Sequence, residues 1–484
     1  MTRQIKILAI ALMVLYSAVF LKLNQIQVVQ AHDLAHDPRN SRVATRDFAR
    51  PRGVIQTADG IVVAQSTPTD DQLKRLRQYP AGPLYAPVTG YFSFTFGAAG
   101  IERDYTDYLS GRNLGSSVKH LSDVFSDKER TGNVTLTIRD AVQRVAAQQL
   151  GNRRGAVVAI DPTTGGLIAL VNFPTFDPNP LAGHDQKAVR DAWNALEADP
   201  AKPRLPRAYR EIYAPGSTFK LVTASAALER KPELATKSYP FLRQLDLPHT
   251  NNDLPNFGGS SCGGVMPQLL KVSCNTGFAQ MGLDLGTDAL LGEAEDYGFG
   301  SRPPLDLAPG SVASRFPDSS GWLRDDPALA QSAIGQNDVA ATPLQMALIA
   351  AAIANHGVLM KPHAMGEIRD DEGDVIRRYL PTSWRKPITA DVADQLTQMM
   401  IGVVQGGTAT GLALPGIKVA GKTGTAQTTG KNAHAWIVGF APADAPKIAV
   451  AVIVESQPGL GDVTGGRIAA PIARAVIQAA LNAP

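Results

Sequence analysis

Tyr213-Ala-Pro-Gly-Ser-Thr-Phe-Lys220 is followed by Leu221 to Leu228, an apolar run of good helix formers. The Pro-Gly pair predicts a turn, and Ser217 is expected at the start of a helix. Residues at i and i+3 share a helix face, so the Lys220 amine can lie beside the Ser217 hydroxyl. If burial lowers its pKa, that amine can remove the hydroxyl proton and leave a nucleophile. The helix N-terminus adds a positive dipole end and free backbone N–H groups suited to a developing oxyanion. Ser-x-x-Lys is a weak pattern by itself, since Ser116-Ser-Val-Lys119 and Ser383-Trp-Arg-Lys386 match it too. Only the Ser217 copy has Pro-Gly before it and an apolar helix after it.

Two more short motifs lie downstream. Ser273-Cys274-Asn275 is the only Ser-x-Asn in the chain; taken singly it reads as a helix cap. Lys422-Thr423-Gly424-Thr425 contains the only Lys-Thr-Gly and is expected to end a strand-like run, Ile417-Lys-Val-Ala420. Ala435 to Phe440 and Ile448 to Val454 supply neighbouring strands. A strand edge offers backbone donors, and Gly424 lets a substrate lie close. The same letters have a competing reading, because Gly416-Ile-Lys-Val-Ala-Gly-Lys-Thr423 fits the phosphate-loop pattern and the apolar run ending in Glu455 could pass for a metal-holding strand. Context opposes it: Ile417 and Val419 are β-branched, and Gly424 to Gly430 is a poor helix start.

The 484 residues are 44% hydrophobic and 19% charged, enough for two or three domains with cores of their own. Of 47 bases, Arg3, Lys6 and Lys22 fall in the first 31 residues, where there is no acid; the remaining 44 face 44 acids. The net charge of +3 therefore sits at the N-terminal tip, which excludes a nucleic-acid surface. Ile7 to Leu21 carries no charge and is bracketed by Lys6 and Lys22, whose ammonium groups can reach the headgroups. It reads as an uncleaved signal anchor, lengthened by Leu23, Ile26, Val28 and Val29. The alternative is a signal peptide cut near Val29-Gln30-Ala31. Arg3 and Lys6 predict a cytoplasmic N-terminus and an extracytoplasmic body.

Residues 1–30 are thus expected to form the cytoplasmic tip and membrane anchor, 31–130 a linker and a small α+β domain, and 131–484 the main domain. Asp59-Gly60 between two β-branched runs predicts a hairpin with positive φ at both turn positions. Val134 to Ile138 predicts a strand, Arg139 to Leu150 a helix, and Gly155 to Ile160 and Gly166 to Val171 a second hairpin around Asp161 to Gly165. His32 and His36 have metal-ligand spacing but no third partner, so no metal site is expected. Cys262 and Cys274 can form one bridge or remain two buried thiols.

The ordered set Ser-x-x-Lys, Ser-x-Asn, Lys-Thr-Gly resembles that of penicillin-binding proteins and serine β-lactamases. The whole chain is similar to class B penicillin-binding proteins, in particular the short members of penicillin-binding protein A type. The likeness extends to Gly155-Ala-Val-Val-Ala-Ile-Asp-Pro-Thr-Thr-Gly165, Thr342-Pro-Leu-Gln345, Gly406-Gly-Thr-Ala409 and His434 to Pro442. Arg52-Gly53, Asp59-Gly60 and Gly100-Ile-Glu102 extend it toward the N-terminus. Pro206-Arg-Ala208 departs from the family's usual Asn-Arg-Ala, and the first domain is short.

The resemblance implies an α+β transpeptidase-like fold: an antiparallel sheet flanked by helices, with a helical subdomain. It implies Ser217 as the acylated nucleophile, Lys220 as its base, and Ser273 as a proton relay assisted by Lys422. Asn275 would hydrogen-bond the peptide stem, and Thr423, Gly424 and Thr425 would hold its carboxylate. The oxyanion hole would be the backbone N–H groups of Ser217 and Thr425. Substrates would be D-alanyl-D-alanine stem peptides of peptidoglycan, and β-lactams would trap the acyl-enzyme. The Glu-x-x-Leu-Asn string of class A β-lactamases is absent, which favours a transpeptidase over a hydrolase. A D,D-carboxypeptidase and a class D type β-lactamase share the motifs, and a non-catalytic cell-wall module is the remote alternative. No cofactor is called for. Family habit adds a SEDS-type membrane glycosyltransferase and division or elongation proteins as partners.

Overall fold

The computed structural model describes residues 2–26, 45, 48–112, 131–247, 250–251, 253–317, 325–427, 433–457 and 464–482. Most of the expected linker over residues 31–51, with His32, His36 and the cleavage site near Ala31, lies outside them, as does the Ser116 motif.

The apolar N-terminus forms a helix over Thr2–Asn24, exposed from Arg3 onward. At 1.5 Å per residue it is about 34 Å long, enough for a ~30 Å hydrocarbon layer. Among the described residues it is the one helix long and apolar enough to cross a membrane.

Ile55–Gln56 and Val62–Pro68 pair as an antiparallel hairpin. Of its turn residues only Gly60 takes positive φ, at 81°. The expected turn with two such positions does not form, because Asp59 has another task. Its carboxylate accepts from Thr57 Oγ1 at 2.6 Å and from the Asp140 N–H at 2.9 Å, pinning the hairpin to the start of the Asp140–Leu150 helix. Asn133–Leu136 lies parallel to Ile55–Gln56 and antiparallel to Met365–Arg369. The resulting sheet has six strands, with Val375–Arg378 at one edge and Arg75–Gln78 at the other. Chain from residues 365–378 therefore returns to complete a sheet begun at residue 55.

Beside this sheet Glu102 is fully buried between two buried arginines. Its carboxylate oxygens accept from Arg52 Nε and Arg77 Nε, each at 2.6 Å, and from Tyr79 Oη at 3.2 Å. Burial alone would raise the Glu102 pKa; Arg52 and Arg77 outweigh it and hold the carboxyl below its usual range.

The second sheet is antiparallel, in the order Ala420–Gln427, Ala433–Ala441, Ile448–Val454, Gly155–Ile160, Leu167–Phe173. Ile448–Val454 and Gly155–Ile160 are buried at every position, as uninterrupted apolar runs covered on both faces must be. The covers are the Pro343–Ala354 helix, buried along its whole length, and the pair Asp140–Leu150 and Ala470–Asn482. Thr342 caps the first of these by accepting from Gln345 N–H, with Pro343 in the first turn. Further helices, among them Lys220–Arg230, Met266–Val272, Asn275–Leu285 and Ala390–Gly406, form the helical subdomain.

Candidate active site

Ser217 lies in a single 3-10 turn, Gly216–Thr218, one turn ahead of the Lys220–Arg230 helix. Side chains at i and i+3 eclipse in such a turn, which sets Ser217 and Lys220 on one side. Gly216 adopts φ +52°, and a Cβ there would stand 2.8 Å from the Thr425 carbonyl. The serine turn thus rests directly on the backbone of the Lys-Thr-Gly strand. Trp436 Nε1 donates to the Ala214 carbonyl at 3.0 Å, and Gly216 N–H to the Gly335 carbonyl at 2.9 Å. From Lys220 to Leu228 the helix is buried, while Ser217 is partly open to the cleft.

Buried Lys220 directs its ammonium to the Ser273 carbonyl at 2.8 Å, Asn275 Oδ1 at 2.7 Å and Ser273 Oγ at 3.4 Å. Its described hydrogen bonds go to the Ser-x-Asn motif and not to Ser217. Ser273 takes the left-handed conformation, φ 59° and ψ 43°, ending the Met266–Val272 helix. That is a strained position for a residue with a Cβ, and it turns the Ser273 carbonyl and hydroxyl toward the two lysines. Asn275 opens the next helix, but neither its side chain nor that of Ser273 caps it, so the cap expected of this motif does not form and both side chains face the lysines instead. Cys274 between them is disulfide-bonded to Cys262. Alkylation of the oxidised protein without reductant is expected to leave its mass unchanged, and with reductant to add two labels; two labels in the first case would remove the bridge.

Lys422, also fully buried, donates to Ser273 Oγ at 2.8 Å and to the Thr423 carbonyl at 2.9 Å. One hydroxyl therefore accepts from both lysines. Burial pulls the Lys422 pKa down to about 7. Burial first, and the Lys422 charge second, hold Lys220 well below the ordinary lysine range. That shift favours the neutral amine, the form of Lys220 that can accept a proton.

The Lys-Thr-Gly motif differs from expectation in one respect: it lies inside a strand. Ile417 bridges back to Leu414 around Pro415 and Gly416, φ +73°, so the apolar run is spent on a turn and pairing begins at Ala420. The Ala420–Gln427 strand is an edge of the sheet. This extended, paired backbone has no phosphate-loop shape, and Glu455 is already held by Arg207 Nε at 3.0 Å, Arg154 Nη2 at 3.2 Å and Tyr213 Oη at 2.8 Å. Buried Arg207 of the departing Pro-Arg-Ala segment thus makes that ion pair. A Cβ on Gly424 would meet the Pro215 carbonyl at 2.8 Å, so only glycine lets the strand approach the serine turn.

The cleft above these residues encloses about 880 Å³; Ser217, Ser273, Asn275, Thr423 and Thr425 line it. Lys220 and Lys422 lie beneath its floor. All eight residues singled out by sequence gather here. The Ser383 motif instead forms a short strand, Ser383–Arg385, paired with Leu359–Met360. Two contributors carried no assigned role. Asn256, 4% exposed, accepts from the N–H groups of Asn275 and Thr276 and caps that helix in place of Cys274. Thr408, in the Gly-Gly-Thr-Ala segment, shares a 2.6 Å hydroxyl bond with Thr423.

An antiparallel sheet with a helical subdomain, and a cleft serine leading into a buried helix, is the architecture of active-serine penicillin-recognising proteins. The family description "Penicillin binding protein transpeptidase domain" matches residues 155–478, and "Penicillin binding protein A dimerisation domain" matches residues 52–134. The chain belongs to the penicillin-binding protein transpeptidase family. It is 40% identical to the peptidoglycan D,D-transpeptidase PbpA of Mycolicibacterium smegmatis, over all of this chain and 99% of that protein. The Mycobacterium tuberculosis PbpA is also 40% identical, over 99% of this chain and 98% of its own length. The ceftriaxone acyl-enzyme complex of M. tuberculosis penicillin-binding protein A is similar in structure, with a TM-score of 0.83 at 38% identity, covering 90% of this chain and all of that one. Its penicillin G acyl-enzyme complex has a TM-score of 0.81 over the same shares.

Proposed function

We propose that this chain is a peptidoglycan D,D-transpeptidase that cross-links stem peptides through an acyl-serine and is acylated by β-lactams. The observation that carries the assignment is the chain of contacts from Lys220 through Ser273 Oγ to Lys422, below a cleft that Ser217 lines. Lys220 takes the Ser217 proton as Oγ attacks the penultimate D-alanine carbonyl. Backbone N–H groups of Ser217 and Thr425 receive the oxyanion; a donor of that kind is worth ~3 kcal/mol. As the peptide C–N bond breaks, Ser273 hands its proton to the departing D-alanine nitrogen and takes up the one held by Lys220, while Lys422 stabilises the serine oxygen during the transfer. A neighbouring stem's amine then attacks the acyl-serine, restoring Ser217 and closing the cross-link. Asn275 holds the stem backbone, and Thr423, Gly424 and Thr425 hold the terminal carboxylate.

The Thr2–Asn24 helix supports a membrane anchor; we assign residues 31–130 as linker and pedestal and 131–484 as the extracytoplasmic catalytic domain. A SEDS-type glycosyltransferase and division or elongation proteins are the partners this layout suits.

Labelled penicillin tests the reading: stoichiometric labelling, lost in Ser217→Ala, supports it, and an unlabelled wild type refutes it. With stem peptide and an amine acceptor, cross-linked dimer marks a transpeptidase and free D-alanine alone a carboxypeptidase. The acylation rate is expected to fall on the acid side as Lys220 gains a proton, and on the alkaline side above about 7 as Lys422 loses its own. Lys422→Met should remove the alkaline limb; a wild-type rate that does not fall between pH 7 and 9 would contradict the Lys422 role.

A further inference from the structure

A second cavity, of about 480 Å³, lies away from the cleft and shares no lining residue with it. It opens where the first module meets the catalytic sheet, and volumes of this size suit small ligands. Arg103 reaches it from one side, and Lys202, Arg204 and Arg210 from the segment that leads toward the serine turn. Against these four cations stands one lining acid, Glu197, already paired with Arg204.

Two buried donors on this wall have no acceptor. Asn172 is 4% exposed; its Oδ1 accepts from Ala208 N–H at 2.8 Å, and its Nδ2 makes no hydrogen bond. Arg204 is fixed by its guanidinium lying 3.6 Å over the Trp193 ring and by Glu197, yet its Nε is buried without a partner. A buried N–H left unsatisfied is costly, and the group that would satisfy it is an acceptor. Lys202 is held at φ +50° while its carbonyl accepts from Arg207 Nη1 at 3.0 Å, so the cationic segment is fixed in place. Tyr91 adds an aromatic wall.

We propose that this cavity binds a small organic anion, a carboxylate or phosphate carried on a partly apolar body. Arg103, Lys202 and Arg210 meet the anionic oxygens, and the unpaired Asn172 Nδ2 and Arg204 Nε just beneath the wall add to the positive field. Calorimetric titration of the full chain in detergent with N-acetyl-D-alanine, phenyl phosphate and inorganic pyrophosphate tests this, and the probe that binds tells carboxylate from phosphate. The expected result is saturable one-to-one binding of at least one probe, unchanged by prior acylation with penicillin G. Arg103→Glu, at an exposed position, should weaken it at least about tenfold, as loss of a charge-assisted contact does. Asn172→Asp, which keeps the acceptor for Ala208 and replaces the free donor with an oxygen, should do the same. No saturable binding, binding equal in Arg103→Glu, or binding abolished by acylation would each overturn the proposal, the last by placing the probe in the catalytic cleft.

Discussion

Lys220→Met is expected to slow acylation by penicillin about 10²- to 10⁴-fold, the range that loss of a positioned general base spans. Methionine keeps the length and apolar stem of a side chain that is fully buried, so packing changes little. What disappears is the amine, set low by burial and by Lys422, and its contacts to the Ser273 carbonyl and Asn275 Oδ1. The loss should fall on the acylation step, with the affinity of the initial penicillin complex little altered. The acid limb of the pH profile should vanish with it. Stopped-flow acylation separates the two constants; a rate within threefold of wild type would remove Lys220 from the mechanism.

Glu102→Ala is the largest stability change expected. Arg52 and Arg77 would be left buried without their carboxylate, and breaking a buried ionic cluster from one side costs about 3–5 kcal/mol. In a protein of 484 residues that is a fall of about 3–5 °C in thermal midpoint. Acid should mimic it. The Glu102 pKa is lower folded than unfolded, so its contribution is complete above the ordinary carboxylate range and fades as pH drops through the depressed value. An unchanged midpoint in the variant would mean the cluster is not a support.

Much of this was legible in the letters because it rests on local pattern. Ile448–Val454 and Gly155–Ile160 are β-branched apolar runs that can only be interior strands, and both are. The serine turn announced itself through Pro215 and Gly216. What escaped depends on partners far apart in the chain. Nothing marks Asn256 as the cap for a helix beginning at Asn275, because a lone asparagine after Pro255 reads as a loop. Ala420-Gly-Lys-Thr-Gly424 has poor strand propensity; it is held extended by pairing with Phe440 to Trp436, a tertiary effect. Asp59 was read as a turn residue because its second role, at Asp140, comes from a helix packed against it. Arg52, Glu102 and Arg77 were separate letters until folding set both arginines on the one carboxylate.

The strand at Met365–Arg369 gives this architecture a limit on divisibility. It pairs with Asn133–Leu136, which in turn needs Ile55–Gln56. A protein begun at residue 131 would therefore keep its active-site cleft but present a raw row of amide and carbonyl groups, an invitation to self-association. Grafting the front module of one such protein onto the rear of another would meet the same obstacle, since the seam runs through a ladder of hydrogen bonds and not along a tether. The two halves are consequently expected to be inherited, and engineered, as a single piece.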